Sequence, residues 1–216
     1  MSRPRWRDEP SEGMMPRMPT LESSRARLVI PGSSRLRSLL SSLISTDEVG
    51  WTHVRIPGWC TVFLAASPAG VSRLDLLGKD ADVPDSVAKI PLPVGVTARK
   101  EPGLRPLADE VMMWLAKPDR ALELPLDIEG TAFQSEVWRE LLDVEPGVTA
   151  SYGDVARRIG RPRSVRAIGQ AVGANPVSLA IPCHRIIATD GSLGGYAWGA
   201  ELKERLLGAE RDACGA

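Results

Sequence analysis

Apolar and polar positions alternate in short runs through the middle of the chain and recur at three- and four-residue spacing towards its end. Residues 54–56, 60–65 and 71–77 are β-rich runs separated by Pro57-Gly58 and Pro68-Ala69-Gly70, which predicts an antiparallel meander. A loose, proline-rich stretch follows over 83–96. Residues 104–115 then place Leu107, Val111 and Leu115 at helical spacing, and 122–128 reads as an extended linker. Ahead of the meander, residues 1–48 are rich in Ser, Pro, Arg and Met and almost free of aromatics, the composition of a disordered extension. A short amphipathic helix over 36–44 is its one regular suggestion, weakened by Ser41 and Ser42. The expected partition is an extension over 1–48, a small α+β domain with its linker over 49–130, and a mainly helical domain over 131–216.

The helical half is well punctuated. Thr131 and Gln134 fit a capping box, with Phe133, Val137, Trp138, Leu141 and Leu142 on one apolar face and Pro146-Gly147 as the stop. Ser151 and Asp154 open a second helix that ends at Gly160, and Ser164 caps a third over 165–173. Two short helices joined by a tight turn read as a helix-turn-helix. Val165, Ile168 and Val172 form a stripe of the third helix expected to face the core. A second face carries Arg166, Gly169, Gln170 and Gly173. Two glycines in one helix cost about 1 kcal/mol each relative to alanine, so that bare face suits either close helix packing or the approach of a partner.

Charge changes the picture locally, not globally. The chain holds 27 basic and 27 acidic residues, so its overall balance names no partner. Over 152–185, however, six arginines (157, 158, 161, 163, 166 and 185) face one acid, Asp154, a local sum of six minus one, or +5. On a helix-turn-helix that favours nucleic acid. No apolar run is long enough to span a bilayer, and the first twelve residues lack the apolar segment of a secretory signal, so a cytoplasmic protein away from membranes is expected. Cys60, Cys183 and Cys214 are three widely spaced thiols, which disfavours a disulfide framework.

The sharpest local feature is Ile181-Pro182-Cys183-His184-Arg185-Ile186-Ile187, a cysteine between an apolar run and two potential cations, whose proximity would favour the nucleophilic thiolate. A cysteine protease would need its histidine from elsewhere, and the only other one is His53. No Cys-x-x-Cys is present for redox chemistry, and the cysteines and histidines lack the paired spacing of a zinc site, so no metal or cofactor is expected.

The Pro182-Cys183-His184-Arg185 tetrapeptide resembles the signature of the O6-alkylguanine-DNA alkyltransferases. The resemblance runs from about residue 126 to 210, through Thr131-Ala132-Phe133-Gln134, Val137-Trp138, Ser151-Tyr152-Gly153, Val165-Arg166-Ala167, Asn175-Pro176 and Gly195-Tyr196-Ala197-Trp198-Gly199. It most resembles the bacterial adaptive-response type, and a weaker likeness covers 51–125. The resemblance implies an α+β protein: a small ribonuclease-H-like N-terminal domain and a mainly helical C-terminal domain with a winged-helix-like helix-turn-helix. It implies irreversible, single-turnover transfer of an alkyl group from O6-alkylguanine in double-stranded DNA to Cys183, by a monomer without cofactor. Cys183 would be the acceptor. His184, acting through a water, and Glu210 would activate it, and Asn175 would hold the loop. Lys203 would lie near the site. Tyr152 would help rotate the nucleotide out and contact the base, while Arg166 would fill its place in the duplex. Tyr196, Ala197 and Trp198 would wall the guanine pocket, with the carbonyls of Cys183 and Ile186 accepting from the guanine amino group. Gly169 and Gly173 would let the helix lie close on the minor groove, and Arg185 would belong to the DNA-binding set.

Two departures from the family bear on function. Residues 1–48 hold no cysteine, so the zinc-binding regulatory module of the adaptive-response protein is not expected in them. Ala197 and Trp198 stand where some relatives have smaller or hydroxyl residues, so Trp198 is expected to narrow the pocket in favour of methyl over benzyl lesions. Two other functions compete with transfer: a lesion-binding protein without chemistry, against which the presence of Cys183 argues, and a DNA-binding regulator, for which no dimerisation motif is seen.

Overall fold

A computed structural model describes residues 25–78, 83–88, 90, 92 and 95–215. Its first elements, β1 (Arg25–Ile30) and α1 (Ser34–Leu43), fall where the composition suggested disorder. Leu28, Leu36 and Leu40 explain the difference: all three are buried, so this stretch carries enough apolar surface, correctly spaced, to join the core. Residues 1–24 lie outside the described part.

The predicted meander is present as β2 (Glu48–Ile56), β3 (Cys60–Ser67) and β4 (Gly70–Leu77), paired antiparallel in sequence. A short helix, α2 (Val83–Ala88), and β5 (Thr97–Lys100) follow, and β5 runs parallel to β2. The expected helix is α3 (Arg105–Ala116). The supposed linker ends in a strand, β6 (Leu126–Thr131), which pairs antiparallel with β1 and meets β4 in parallel. The mixed sheet therefore has the order β1-β6-β4-β3-β2-β5. Sequence alone could not reveal β6, because its partner β1 lies about a hundred residues away in the chain. Gly70 is required where β4 crosses β6: a Cβ there would sit 2.7 Å from the Leu126 carbonyl carbon.

The second half supplies α4 (Ala132–Leu142), β7 (Ala150–Ser151), α5 (Tyr152–Arg158), α6 (Val165–Gly173), β8 (Ile186–Ile187) and α7 (Ala200–Cys214). The predicted capping box forms at Thr131/Gln134, and Ser151 and Asp154, expected to open α5, form a second one. Gly160 turns the chain between α5 and α6 at φ +69°, a conformation that disfavours other residues. Ser164 occupies the N-cap of α6 without a side-chain cap bond. Val165, expected inside, is 39% exposed, because the first turn of α6 overhangs the core, whereas Ile168 and Val172 are buried. Trp138 of α4 donates its indole N–H to the Ala171 carbonyl at 2.9 Å and so fixes α6 against α4.

One apolar cluster runs from the sheet (Val62, Leu64, Leu74, Leu76) through α3 (Leu107, Val111, Trp114) into the helical half (Val137, Trp138, Ile168). The two halves are also joined by backbone. Leu74 of β4 donates to the Pro176 carbonyl at 2.9 Å, and Ser178 donates back to Leu74 at 3.0 Å. The segment before Cys183 is thereby stitched to the N-terminal sheet, while the segment after it, β8, pairs in parallel with β7. Arg205 of α7 adds a clamp, donating to the Gly58 carbonyl at 2.6 Å with its guanidinium 3.7 Å from the Trp59 ring centre. Among the described residues no helix is long and apolar enough to cross a membrane.

Candidate active site

Cys183 opens a single turn of 3-10 helix (Cys183–Arg185) between the two stitched segments. Both flanks are held by the main chain, so the thiol's place does not depend on a flexible loop. Asn175 braces the preceding turn from inside: its side chain donates to the Ile181 carbonyl at 2.8 Å and accepts from the Val177 N–H at 3.0 Å. Leu179, within that turn, holds a left-handed backbone at φ +69° and is buried. A non-glycine residue pays for that conformation, and such strain clusters where geometry is over-determined.

A cavity of about 370 Å³ opens at Cys183, within the size range of small-molecule sites. Tyr152, Gly169, Gly173, Asn175, Cys183, Tyr196, Ala197 and Trp198 all line it, so eight residues singled out from sequence converge there. Val172, Ser178 and Gly195 complete the lining and were not foreseen. Ser178 left no sequence signal. Its role comes from a residue twenty positions on, for Trp198 donates its indole N–H to the Ser178 hydroxyl at 2.8 Å.

His184 does not line the cavity. It is fully buried beside it, with Nε2 2.9 Å from Glu210 Oε1. Arg185 is only 2% exposed, which removes it from the DNA-facing set expected for it. Its guanidinium donates to Glu210 at 2.8 to 3.1 Å and to the Val144 carbonyl at 2.5 Å. Glu210 also accepts from the Gly147 N–H at 3.3 Å. Burial alone would raise the Glu210 carboxyl, but its bonds and charge pairing with His184 and Arg185 outweigh this and bring it down to about 2. An ionised Glu210 must accept the Nε2–H of His184. Burial pushes the imidazole's pKa down, against the pull of Glu210, so the ring is neutral with Nδ1 as its free acceptor. That Nδ1 is buried and has no hydrogen-bond partner among the described residues.

Burial also raises the Cys183 thiol; Asn175, the Lys203 charge, its own backbone and Ser178 pull the other way without prevailing. The expected thiolate-favouring contact with Arg185 is absent, since that guanidinium is committed to Glu210. At rest the group is therefore a thiol beside a neutral imidazole, and a base is needed to activate it. Lys203 is buried, donating from Nζ to the Ile186 carbonyl at 2.6 Å and to the Leu193 carbonyl, with Nζ 6.0 Å from the Tyr196 ring centre. Ile186 does not line the cavity, and its carbonyl is held by that lysine. Burial, followed by the nearby Cys183, raises the Tyr152 phenol, which keeps it a proton donor.

The glycine face of α6 is open. Among the described residues, a Cβ at Gly169 would meet only the Tyr152 ring, at 4.0 Å, and one at Gly173 would meet nothing within 4 Å. Packing inside the protein therefore does not explain either glycine. Arg166 is exposed on the same helix. The basic cluster is more neutralised than its count suggested: Arg157 pairs with Asp154, Arg158 with Glu140 and Arg161 with Glu136. Among the described residues no cluster of three or more His, Cys, Asp or Glu could hold a metal ion.

A family model described as 6-O-methylguanine DNA methyltransferase, DNA binding domain, matches residues 132–212. The inducible methylated-DNA–protein-cysteine methyltransferase of Bacillus subtilis is 34% identical over 163 residues, covering 76% of this chain and 90% of that protein. The bifunctional transcriptional activator/DNA repair enzyme Ada of Escherichia coli is 39% identical over 155 residues, but the match spans only 43% of its length. The crystal structure of Mycobacterium tuberculosis O6-methylguanine methyltransferase superposes with a TM-score of 0.64 at 30% identity, covering 76% of this chain and 94% of that one. A structure of that organism's OGT in complex with DNA gives 0.61 at 29% identity, covering 77% and 94%.

Proposed function

The chain belongs to the methylated-DNA–protein-cysteine methyltransferases, enzymes of direct-reversal DNA repair, and from that premise we propose that Cys183 takes the alkyl group of an O6-alkylguanine in duplex DNA, once and irreversibly. The observation that carries this reading is the convergence on one cavity of Cys183, Tyr152, the aromatic wall Tyr196 and Trp198, and the open glycine face of α6.

The O6 alkyl carbon cannot be reached inside a stacked duplex, so the base must be rotated into the cavity. Gly169 and Gly173 let α6 approach the sugar-phosphate backbone closely, and exposed Arg166 fills the space the base leaves. Neutral His184, through a bridging water, takes the thiol proton at Nδ1; Glu210, held in place and ionised by Arg185, stabilises the imidazolium that results. The sulfur then attacks the alkyl carbon in line. A carbon–sulfur bond forms, the carbon–oxygen bond breaks, and its electron pair returns to the guanine ring, which is protonated with Tyr152 as donor. The thioether has no leaving group that water could displace, so the protein is consumed.

The strand arrangement β4-β3-β2-β5, a meander followed by a strand parallel to its first member, supports a ribonuclease-H-like N-terminal domain, and α5–α6 beside the β7-β8 pair supports a winged-helix-like DNA-binding unit. One chain supplies every group named here, so a monomer suffices. Transcriptional activation, which names the longer Escherichia coli relative, is not part of the proposal.

The deciding experiment is intact-protein mass after mixing with a duplex carrying one O6-methylguanine. A stoichiometric gain of one methyl group at Cys183, absent in Cys183→Ala, is expected. Tight, lesion-selective binding with no change in mass would replace transfer with lesion sensing.

A further inference from the structure

The family model begins at residue 132, yet one side chain from the N-terminal half reaches the buried histidine. Trp114 of α3 stands against His184 with ring centres 6.1 Å apart and planes at 72°. Both rings are buried, at 1% and 0% exposure. The indole is itself pinned, donating Nε1–H to the Arg120 carbonyl at 2.7 Å in the segment that follows its helix. Its polar atom is thus spent locally, and an apolar ring surface is what it offers the imidazole.

We propose that Trp114 is a positioning residue of the transfer reaction: it fixes the plane of His184 and keeps bulk water from the ring. The inference rests on the proposed role of His184 as proton acceptor and assigns the N-terminal half a part in that step. Three charged groups surround the imidazole. Glu210 of α7 bonds Nε2 and favours the charged ring, whereas Arg185 and Lys203 oppose it. Burial is the largest influence and favours the neutral ring. Trp114 supplies a wall of that burial and carries no charge of its own. A neutral ring held in one orientation presents Nδ1 ready to accept a proton. A hydrated ring would be protonated earlier on acidification and would lose that capacity.

Replacing Trp114 by leucine would open space beside the imidazole, whose buried Nδ1 has no partner among the described residues, and water would enter. The chain has only two histidines, so NMR of histidine-labelled protein resolves both and follows each titration separately. In Trp114→Leu the His184 midpoint is expected to rise by about one pH unit, while His53, on β2, stays in place. Single-turnover methyl transfer should fall several-fold near pH 6 and far less near pH 8.5, with lesion-DNA affinity unchanged. Leu107→Ala, which empties the α3 core away from His184, serves as the stability control and should leave the His184 midpoint where it is. If Trp114→Leu does not fold, Trp114→Phe should shift the midpoint in the same direction by a smaller amount. An unmoved or lowered His184 midpoint overturns the inference and leaves the acceptor role of His184 standing. A raised midpoint with an unchanged pH–rate profile overturns it through the acceptor role itself.

Discussion

Replacing Gly169 by alanine should make the protein more stable and a poorer repair enzyme. Gly169 lies inside α6, where glycine costs about 1 kcal/mol relative to alanine. The new Cβ would meet the Tyr152 ring at 4.0 Å, ordinary contact, and nothing else, so no clash offsets the gain. For a chain of this size about 1 kcal/mol corresponds to a rise of roughly 2–4 °C in melting temperature. If α6 lies against DNA through this bare face, the added methyl holds helix and backbone apart, and losing that close contact should cost about 1.4–2.8 kcal/mol, roughly ten- to a hundredfold in affinity for lesion duplex. Thermal denaturation of the free protein and single-turnover transfer to Cys183 measure the two sides independently. A stabilised variant that still transfers at the wild-type rate would refute the docking role of the glycine face. A destabilised variant would show that packing, not access, selected the glycine.

Arg166→Ala should leave the melting temperature nearly unchanged, since the side chain is exposed, and slow transfer by at least about tenfold on duplex DNA but much less on single-stranded substrate, where no stack must be refilled. Trp198→Ala, which removes the indole bonded to Ser178, should raise the relative rate on benzyl over methyl lesions by at least about tenfold; an unchanged ratio would remove Trp198 as the wall that sets lesion size. Acid should unfold the protein partly through the His184–Glu210–Arg185 cluster. Folding holds the Glu210 carboxyl at about 2 against an ordinary 4.5. Its contribution, roughly 3 kcal/mol, is therefore complete above about pH 5 and lost as pH falls towards 2. His184, buried neutral, acts in the same direction below its ordinary 6.5. Glu210→Gln should flatten that acid limb in a denaturation series, at a cost of about 3–5 kcal/mol at neutral pH for leaving Arg185 buried without its partner.

Much of the helical half was legible because its signals are local. The cap partners Thr131/Gln134 and Ser151/Asp154 stand three positions apart, and the apolar stripe of α4 repeats within eleven residues. The meander was legible for the same reason, with turns of a few residues between its strands. β1 and β6 were not, because neither marks itself as a strand until the other lies beside it.

The identity of the reactive group was likewise written in consecutive residues, Pro182 to Arg185, but its chemical state was not. Sequence placed Arg185 beside Cys183 and suggested a cation that would stabilise a thiolate. In three dimensions that guanidinium turns to Glu210, twenty-five positions away, and the thiol is buried and protonated. Residue types and short spacings fix which atoms are available and which helices form, since those depend on neighbours in the chain. Burial, the pairing of charges and the open face at Gly169 and Gly173 depend on which distant segments pack together, and only the tertiary structure decides them.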